Sequence, residues 1–316
     1  MKIQTICVLG GTGFVGRHLV ARLANRGYEV KVLTRYPHRH RELEVLSTVA
    51  LVGADPHDPA ALREQFSGCD AVINLIGILH QSAAQSFKSI HAELPAQVAR
   101  ACQDAGVKRL LHMSALQADA SKGPSEYLRS KGAGEQAVLK TAGLAVTCFK
   151  PSIIFAPDDS FFNQFATLLR LGPVLPLACP NSRFAPVYVE DVAAAFEKAL
   201  SDDSTIGQSY ELCGPRVYTF KELVEDIARM IGKKRWVVGL PDGLARLQGR
   251  IFEKLPVKIF TSDNYLSLQV DSVCACNGFA ALGLTPHSVD GIMPAYFADR
   301  NARGRYHQFR EAARRS

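Results

Sequence analysis

The stretch "VLGGTGFVG" constrains the fold more than any other part of the chain. Gly10, Gly13 and Gly16 recur at three-residue steps, directly after the apolar run "TICVL" and at the start of an amphipathic helical pattern. Glycine inside regular structure costs roughly 0.5–1 kcal/mol relative to alanine, so three at one strand-to-helix junction mark a need for bare backbone. A tight turn takes the first, close approach of a pyrophosphate the second, and close packing of helix on strand the third. The helix N-terminus adds free N–H groups and a partial positive charge that suit phosphates. Thr12, Phe14 and Val15 fill the positions between and complete the expected dinucleotide loop.

Strand-like and helix-like segments alternate around that junction, from "TICVLG" and "GFVGRHLVARLANRG" through "EVKVLTR", "VALVGAD", "PAALREQFSG" and "DAVINLIG" to "LAVTCFKPSIIF". Alternation of this kind predicts an α/β fold, a doubly wound parallel sheet with crossover helices, over residues 1–150. With 316 residues, 47% of them hydrophobic, the chain can bury a large core. After Pro151 the rhythm turns irregular, with helices expected at "FFNQFATLLRLG", "EDVAAAFEKAL", "FKELVEDIARMIG" and "DGLARLQGRIFEKL". Residues 151–299 are expected to form a smaller substrate-side lobe interleaved with the core, and 300–316 a basic tail. Asp191 in "VEDVAAAF" reads as a helix N-cap.

The longest apolar runs, such as "AVINLIGIL", fall well short of the ~18 residues that span a bilayer. The N-terminus enters a strand pattern directly, without the apolar stretch of a signal peptide, so a cytoplasmic location is expected. Cys7, Cys69, Cys102, Cys148 and Cys213 lie in or beside apolar patterns and read as buried free thiols. The close pair in "CAC" lacks the spacing of a zinc site, and no metal is expected. Net charge is +7, and six arginines fall in "RNARGRYHQFREAARRS". That ending reads first as a solvated tail and second as a contact with an anionic surface. In "PDGLARLQGRIFEKLP", Leu244, Leu247, Ile251 and Leu255 form an apolar helical stripe beside Arg246, Arg250 and Lys254. It reads as core-facing, or else as a peripheral contact with an anionic membrane at its inner face. Nucleic acid is not an expected partner.

The end of the second strand discriminates between dinucleotides. An acidic residue about 20 positions past the loop would bind the ribose 2′-hydroxyl of NAD. Arg35 stands there instead and suits a 2′-phosphate, so NADP(H) is preferred over NAD(H). Ligands collect at the carboxyl ends of parallel strands. Asp55 and Pro56 therefore fall near the adenine edge, and Asn74 and Gly77 on the pyrophosphate side.

"MSALQADASKGPSEYLRSK" adds Ser114 at the end of the fifth strand, then Tyr127 and Lys131 four apart on one helix face. In this order the glycine loop, serine, tyrosine and lysine resemble the extended or atypical short-chain dehydrogenase/reductase superfamily, with its Rossmann core. "SALQADASKGPSEYLRSKGAGEQAV", "FKPSIIFAPDDSFFNQFATLLR", "RFAPVYVEDVAAAF" and "YELCGPRVYTFKELVEDIA" resemble more closely one branch of it. That branch contains the nucleotide-binding accessory subunit of mitochondrial respiratory complex I and its bacterial relatives. The likeness reaches to about residue 290. Lys150 stands where arginine is common before Pro151, and Ala156 where glycine is common; the former gives up an arginine-type bidentate contact.

The resemblance implies roles for the residues. Tyr127 would be the general acid/base, its phenolate favoured by Lys131, which also holds the nicotinamide ribose. Ser114 would hydrogen-bond the substrate oxygen. Pro151 and Ile154 would join the cofactor-binding set, and Lys150 and Arg183 would face the substrate. The function implied first is an NADP(H)-dependent oxidoreductase acting on a carbonyl or quinone-related small molecule. A non-catalytic nucleotide-binding accessory or assembly factor of the quinone and respiratory machinery is the second reading, and a sugar-nucleotide epimerase or dehydratase the third.

Overall fold

The computed structural model describes residues 3–252 and 260–300. Lys254, Leu255 and the tail from residue 301 lie outside the described residues, as do the side chains of Arg250 and Ile251. The chain divides into two compact units. The first comprises Met1–Ser152, Val189–Cys213 and Cys274–Thr285, and the second Ile153–Tyr188, Gly214–Val273 and Pro286–Ser316.

The first unit is built on a seven-stranded parallel sheet. Its strands are β1 (Thr5–Leu9), β2 (Glu29–Thr34), β3 (Val49–Gly53), β4 (Ala71–Asn74), β5 (Arg109–Met113), β6 (Ala145–Pro151) and the edge strand Ser209–Leu212. Their order is edge strand, β6, β5, β4, β1, β2, β3, so the direction of winding reverses beside β1. Ligands of open α/β sheets bind at such a reversal. Register places Leu9 opposite both Leu33 and Asn74, and Asn74 opposite His112.

Crossover helices α1 (Phe14–Asn25), α2 (Pro59–Phe66), α3 (Leu94–Asp104) and α4 (Glu126–Leu139) cover the sheet, joined by the helix Val189–Leu200. Cys7, Leu9, Val72, Leu110, Val146 and Cys148 of the strands pack against Leu62 and Phe66 of α2, Val98 and Cys102 of α3, and Val138 of α4. Central strands buried on both faces read as continuous apolar runs, as "AVIN" and "RLLHM" do apart from their polar members. One of those, Arg109, is 2% exposed and spends its donors on Thr147, Thr205 and the Ala145 and Ala199 carbonyls. The helix Val189–Leu200 starts two residues before Asp191, which therefore sits inside its first turn and not at the N-cap.

Cysteine pairing departs from the expectation of free thiols. Cys213, just past the edge strand, is bonded to Cys274, while Cys7, Cys69, Cys102 and Cys148 are buried and free. The Glu211 carboxylate accepts from the N–H groups of Ala275 and Cys276 and fixes the segment that carries the second half-cystine.

The second unit packs helices Ser160–Leu171 and Phe220–Met230 around Phe155, Phe162, Phe184, Tyr218 and Phe220, with strand pairs of two to four residues. Among the described residues no helix is long and apolar enough to cross a membrane.

Candidate functional site

At the carboxyl end of β1, Gly10 adopts φ +76°, and a Cβ there would lie 3.0 Å from the backbone of Leu75 and Ile76. Gly13 donates its N–H to the Gly10 carbonyl at 3.0 Å, which closes the turn. It is also the N-cap of α1 and supplies no side-chain acceptor. A Cβ on Gly16 would collide with the Gly10 carbonyl and the Gly11 backbone. Bare backbone beside a helix N-terminus lacking a side-chain cap fits a pyrophosphate. Thr12 and Phe14 flank it half-buried, and Val15 anchors α1 in the core.

At the end of β2, Arg35 is exposed. Its guanidinium carbon lies 5.9 Å from the Tyr36 ring centroid, and that of Arg39 lies at 4.7 Å. Asp55, also exposed, accepts the His57 N–H at 3.0 Å beside the half-buried Pro56. Asn74 is 1% exposed, with its Oδ1 accepting from the Ile76 N–H at 3.1 Å. A Cβ on Gly77 would lie 3.3 Å from Lys131 Nζ and 3.6 Å from His91 Nε2, so the segment after β4 runs close over both.

Ser125 caps α4 by accepting the Leu128 N–H at 3.1 Å, and Tyr127 and Lys131 follow one turn apart. Two glycines let α4 come close to its neighbours. A Cβ on Gly134 would strike the His91 carbonyl, and one on Gly132 the backbone of Asp119 and Ala120. Lys131 is 6% exposed and donates to the Met113 carbonyl at 3.1 Å. Burial pulls its pKa from 10.5 down to about 8, against the opposing attraction of Glu135.

His91 lies in a π-helical turn, Lys88–Glu93, that runs into α3. Its Nε2 accepts the Ile78 N–H at 3.0 Å, which assigns the ring proton to Nδ1, 3.1 Å from Ser130 Oγ. Ser130 passes the chain on, donating to the Tyr127 carbonyl at 2.8 Å. The half-buried Tyr127 ring meets Phe87 and His91 edge-on at 5.7 and 5.3 Å. Burial, with Lys131 and His112 nearby, pushes the His91 pKa down to about 2, so the ring is neutral. Sequence reasoning missed His91, Ser130 and Glu135. The one available signal was the glycine pair in "KGAGE", misplaced for an ordinary helix and therefore indicative of close packing.

Ser114, expected to face a substrate oxygen, is 2% exposed and donates to Glu135 Oε2 at 2.7 Å. Ser209 donates to the other oxygen at 2.9 Å, and Lys150 Nζ lies 3.9 Å from it. The serine proton is thus committed to a buried carboxylate. Pro151 is buried at the end of β6. Ile154 and Arg183 belong to the second unit, where Arg183 Nε and Nη2 reach Asp271 Oδ2 at 2.8 and 2.7 Å. Its N–H donates to Asp271 Oδ1 at 2.9 Å, so the guanidinium is already paired.

Comparison with known proteins identifies the family and the fold. The model of the NAD dependent epimerase/dehydratase family matches residues 6–213. NADH dehydrogenase (ubiquinone) 1 alpha subcomplex subunit 9 of Arabidopsis thaliana mitochondria is 33% identical over 302 residues, covering 90% of this chain and 75% of that protein. A ceramide reductase of Caulobacter vibrioides is 32% identical over 242 residues, 75% of this chain and 74% of its own. Among solved structures, the dTDP-glucose 4,6-dehydratase DesIV of Streptomyces venezuelae, with NAD bound, superposes with a TM-score of 0.73. It covers 95% of this chain and 98% of its own at 21% identity, a likeness of fold alone.

Proposed function

Because the chain belongs to the NAD dependent epimerase/dehydratase family, we propose that it is an NADP(H)-binding oxidoreductase of short-chain dehydrogenase/reductase type, acting on a carbonyl or quinone-related small molecule. The observation that carries this reading is the pairing of Tyr127 with a buried Lys131 one helical turn away, directly under Gly77. Gly10 and Gly13 would form the turn that receives the pyrophosphate while Gly16 lets the helix pack close behind it, Arg35 would take the 2′-phosphate, and Lys131 the nicotinamide ribose. When bound, the dinucleotide supplies the hydride. Tyr127 gives its phenolic proton to the substrate oxygen as charge develops there, and the Lys131 ammonium favours the phenolate that results. Neutral His91 packs against the tyrosine ring and, through Ser130, ties down its backbone carbonyl without adding a second positive charge. Ser114 stands apart as a ligand of Glu135. The likeness to a ceramide reductase supports reduction as the reaction class.

A second reading, a nucleotide-holding accessory factor of the respiratory machinery, is favoured by the commitment of Ser114 to Glu135 and by the complex I relative. Sugar-nucleotide chemistry, the third reading, is allowed by the fold but has no sugar-specific motif in the sequence to support it. The deciding experiment screens quinones and simple carbonyls for NADPH oxidation. Tyr127→Phe is expected to lower turnover by about 100-fold or more with dinucleotide binding retained. Turnover unchanged in that variant removes the phenol from the chemistry and leaves the accessory reading.

A further inference from the structure

In the second unit the strands Val174–Leu177 and Trp236–Gly239 run parallel, with Trp236 opposite Val174 and Val238 opposite Pro176. Side chains alternate across a strand pair. Leu175 and Val237 turn towards the phenylalanine-rich core, Leu177 is buried with them, and Val174, Pro176, Trp236 and Val238 stand on the opposite, exposed face. Trp236 is 75% exposed, Val238 50% and Val174 46%. Leu171, the last residue of the helix preceding this pair, is 79% exposed. Parallel strands ordinarily have both faces covered, and a face left to water ordinarily carries polar side chains. Here the outer face carries no polar side chain.

The flanking sequence is rich in cations, and the nearest carboxylate along the chain, Asp242, lies three residues past the second strand. Arg170, Lys233 and Lys234 are exposed, and residues 160–182 and 227–241 contain no aspartate or glutamate. Among the described residues no carboxylate forms an ion pair with any of the three. Arg235 is turned back, with its Nε donating to the Leu169 carbonyl at 2.6 Å. The helix that follows, Asp242–Phe252, buries Ala245 and leaves Leu244 and Leu247 about half exposed, so these two leucines are not buried in the core. Its Arg246 is hydrogen-bonded to the Tyr265 hydroxyl.

We propose that this strand pair is a docking face for an anionic lipid bilayer. Trp236, Val174, Val238 and Leu171 enter the boundary between headgroups and acyl chains, and Arg170, Lys233 and Lys234 meet the lipid phosphates. An aromatic ring among aliphatics, bordered by unpaired cations, matches the chemistry of that boundary. Contact through the strand pair requires neither the basic tail nor the arginines of the 242–255 stripe. It is also independent of the proposed reaction.

Trp236 is the only tryptophan in the chain, so its fluorescence reports on this face alone. The full chain is titrated with vesicles of phosphatidylcholine containing about a third phosphatidylglycerol, at low salt. The expected result is a blue-shifted emission with reduced quenching by acrylamide, reversed at 0.5 M salt as screening sets in. Each lost cation is expected to weaken binding about fivefold, and the double variant Lys233→Glu, Lys234→Glu by 25-fold or more. Trp236→Ser is expected to lose co-flotation while keeping its circular dichroism. Unchanged emission with anionic vesicles, or an equal shift with pure phosphatidylcholine, overturns the proposal. So does a blue shift without lipid that grows with protein concentration alongside a dimer mass, which would assign the face to a second copy. None of these readings depends on turnover, so a negative result leaves the oxidoreductase reading standing.

Discussion

Lys131→Met is expected to stabilise the nucleotide-free protein at neutral pH. Lys131 is 6% exposed, and its hydrogen bond to the Met113 carbonyl leaves the ammonium less well solvated than in water. A fall in pKa from 10.5 to about 8 means that the folded state disfavours the charged form. At about 1.4 kcal/mol per tenfold change, the penalty below pH 8 is about 3 kcal/mol. The sign follows from linkage. Between about 8 and 10.5 the unfolded chain holds the proton that the folded chain has released, so stability rises with pH across that window. For this one group the gain from pH 7 to pH 9.5 is about 2 kcal/mol. Methionine retains most of the stem, carries no charge, and removes that slope. Urea unfolding at a series of pH values measures the difference between wild type and variant, in which the other titrating groups largely cancel. Two proteins whose stabilities run parallel from pH 7 to 9.5 would refute the reasoning.

Arg35→Ala is expected to remove the preference for NADPH over NADH in calorimetric titration, with NADH binding little changed; a retained preference moves the 2′-phosphate elsewhere. Ser114→Ala is expected to cost about 1–3 kcal/mol, because a buried carboxylate loses a donor, while any turnover survives; denaturant midpoints and initial rates read the two effects separately. Arg183→Ala breaks a largely exposed pair and should cost less than about 1 kcal/mol, measured the same way. Replacing Cys213 and Cys274 by serine opens a connection of 61 residues and is expected to cost about 4 kcal/mol on chain entropy, checked by thermal unfolding of both forms.

The parts legible beforehand were those in which local sequence and local structure share one cause. Gly10 and Gly16 stand where a Cβ meets backbone, so no alternative residue blurs the signal. The strand-helix alternation up to β6 is likewise local, and the spacing of Tyr127 and Lys131 needs only helical geometry. Other features depend on partners far along the chain. Ser114 meets Glu135, 21 residues on, and nothing at either position announces the pairing. His91 reaches the site through a π-helical turn within "KSIHAE", a geometry for which composition carries no mark. Cys213 and Cys274 looked like a buried thiol and half of a close pair because proximity in sequence was the only distance available. The exposed face at Val174 and Trp236 lies on strands four residues long, where an apolar run reads equally well as core.

The Cys213–Cys274 bond has a topological consequence. Residues 214–273, the longest stretch the second unit contributes, begin and end at the two sulfurs and so form a covalent ring hung from the first unit. A protease that cuts once inside this ring releases nothing, because both new ends remain attached through the sulfur bridge. On a non-reducing gel such nicked molecules keep the mass of the intact chain, and they separate into two fragments only after a thiol is added. Surveys of degradation run without reductant would therefore count damaged copies as whole ones.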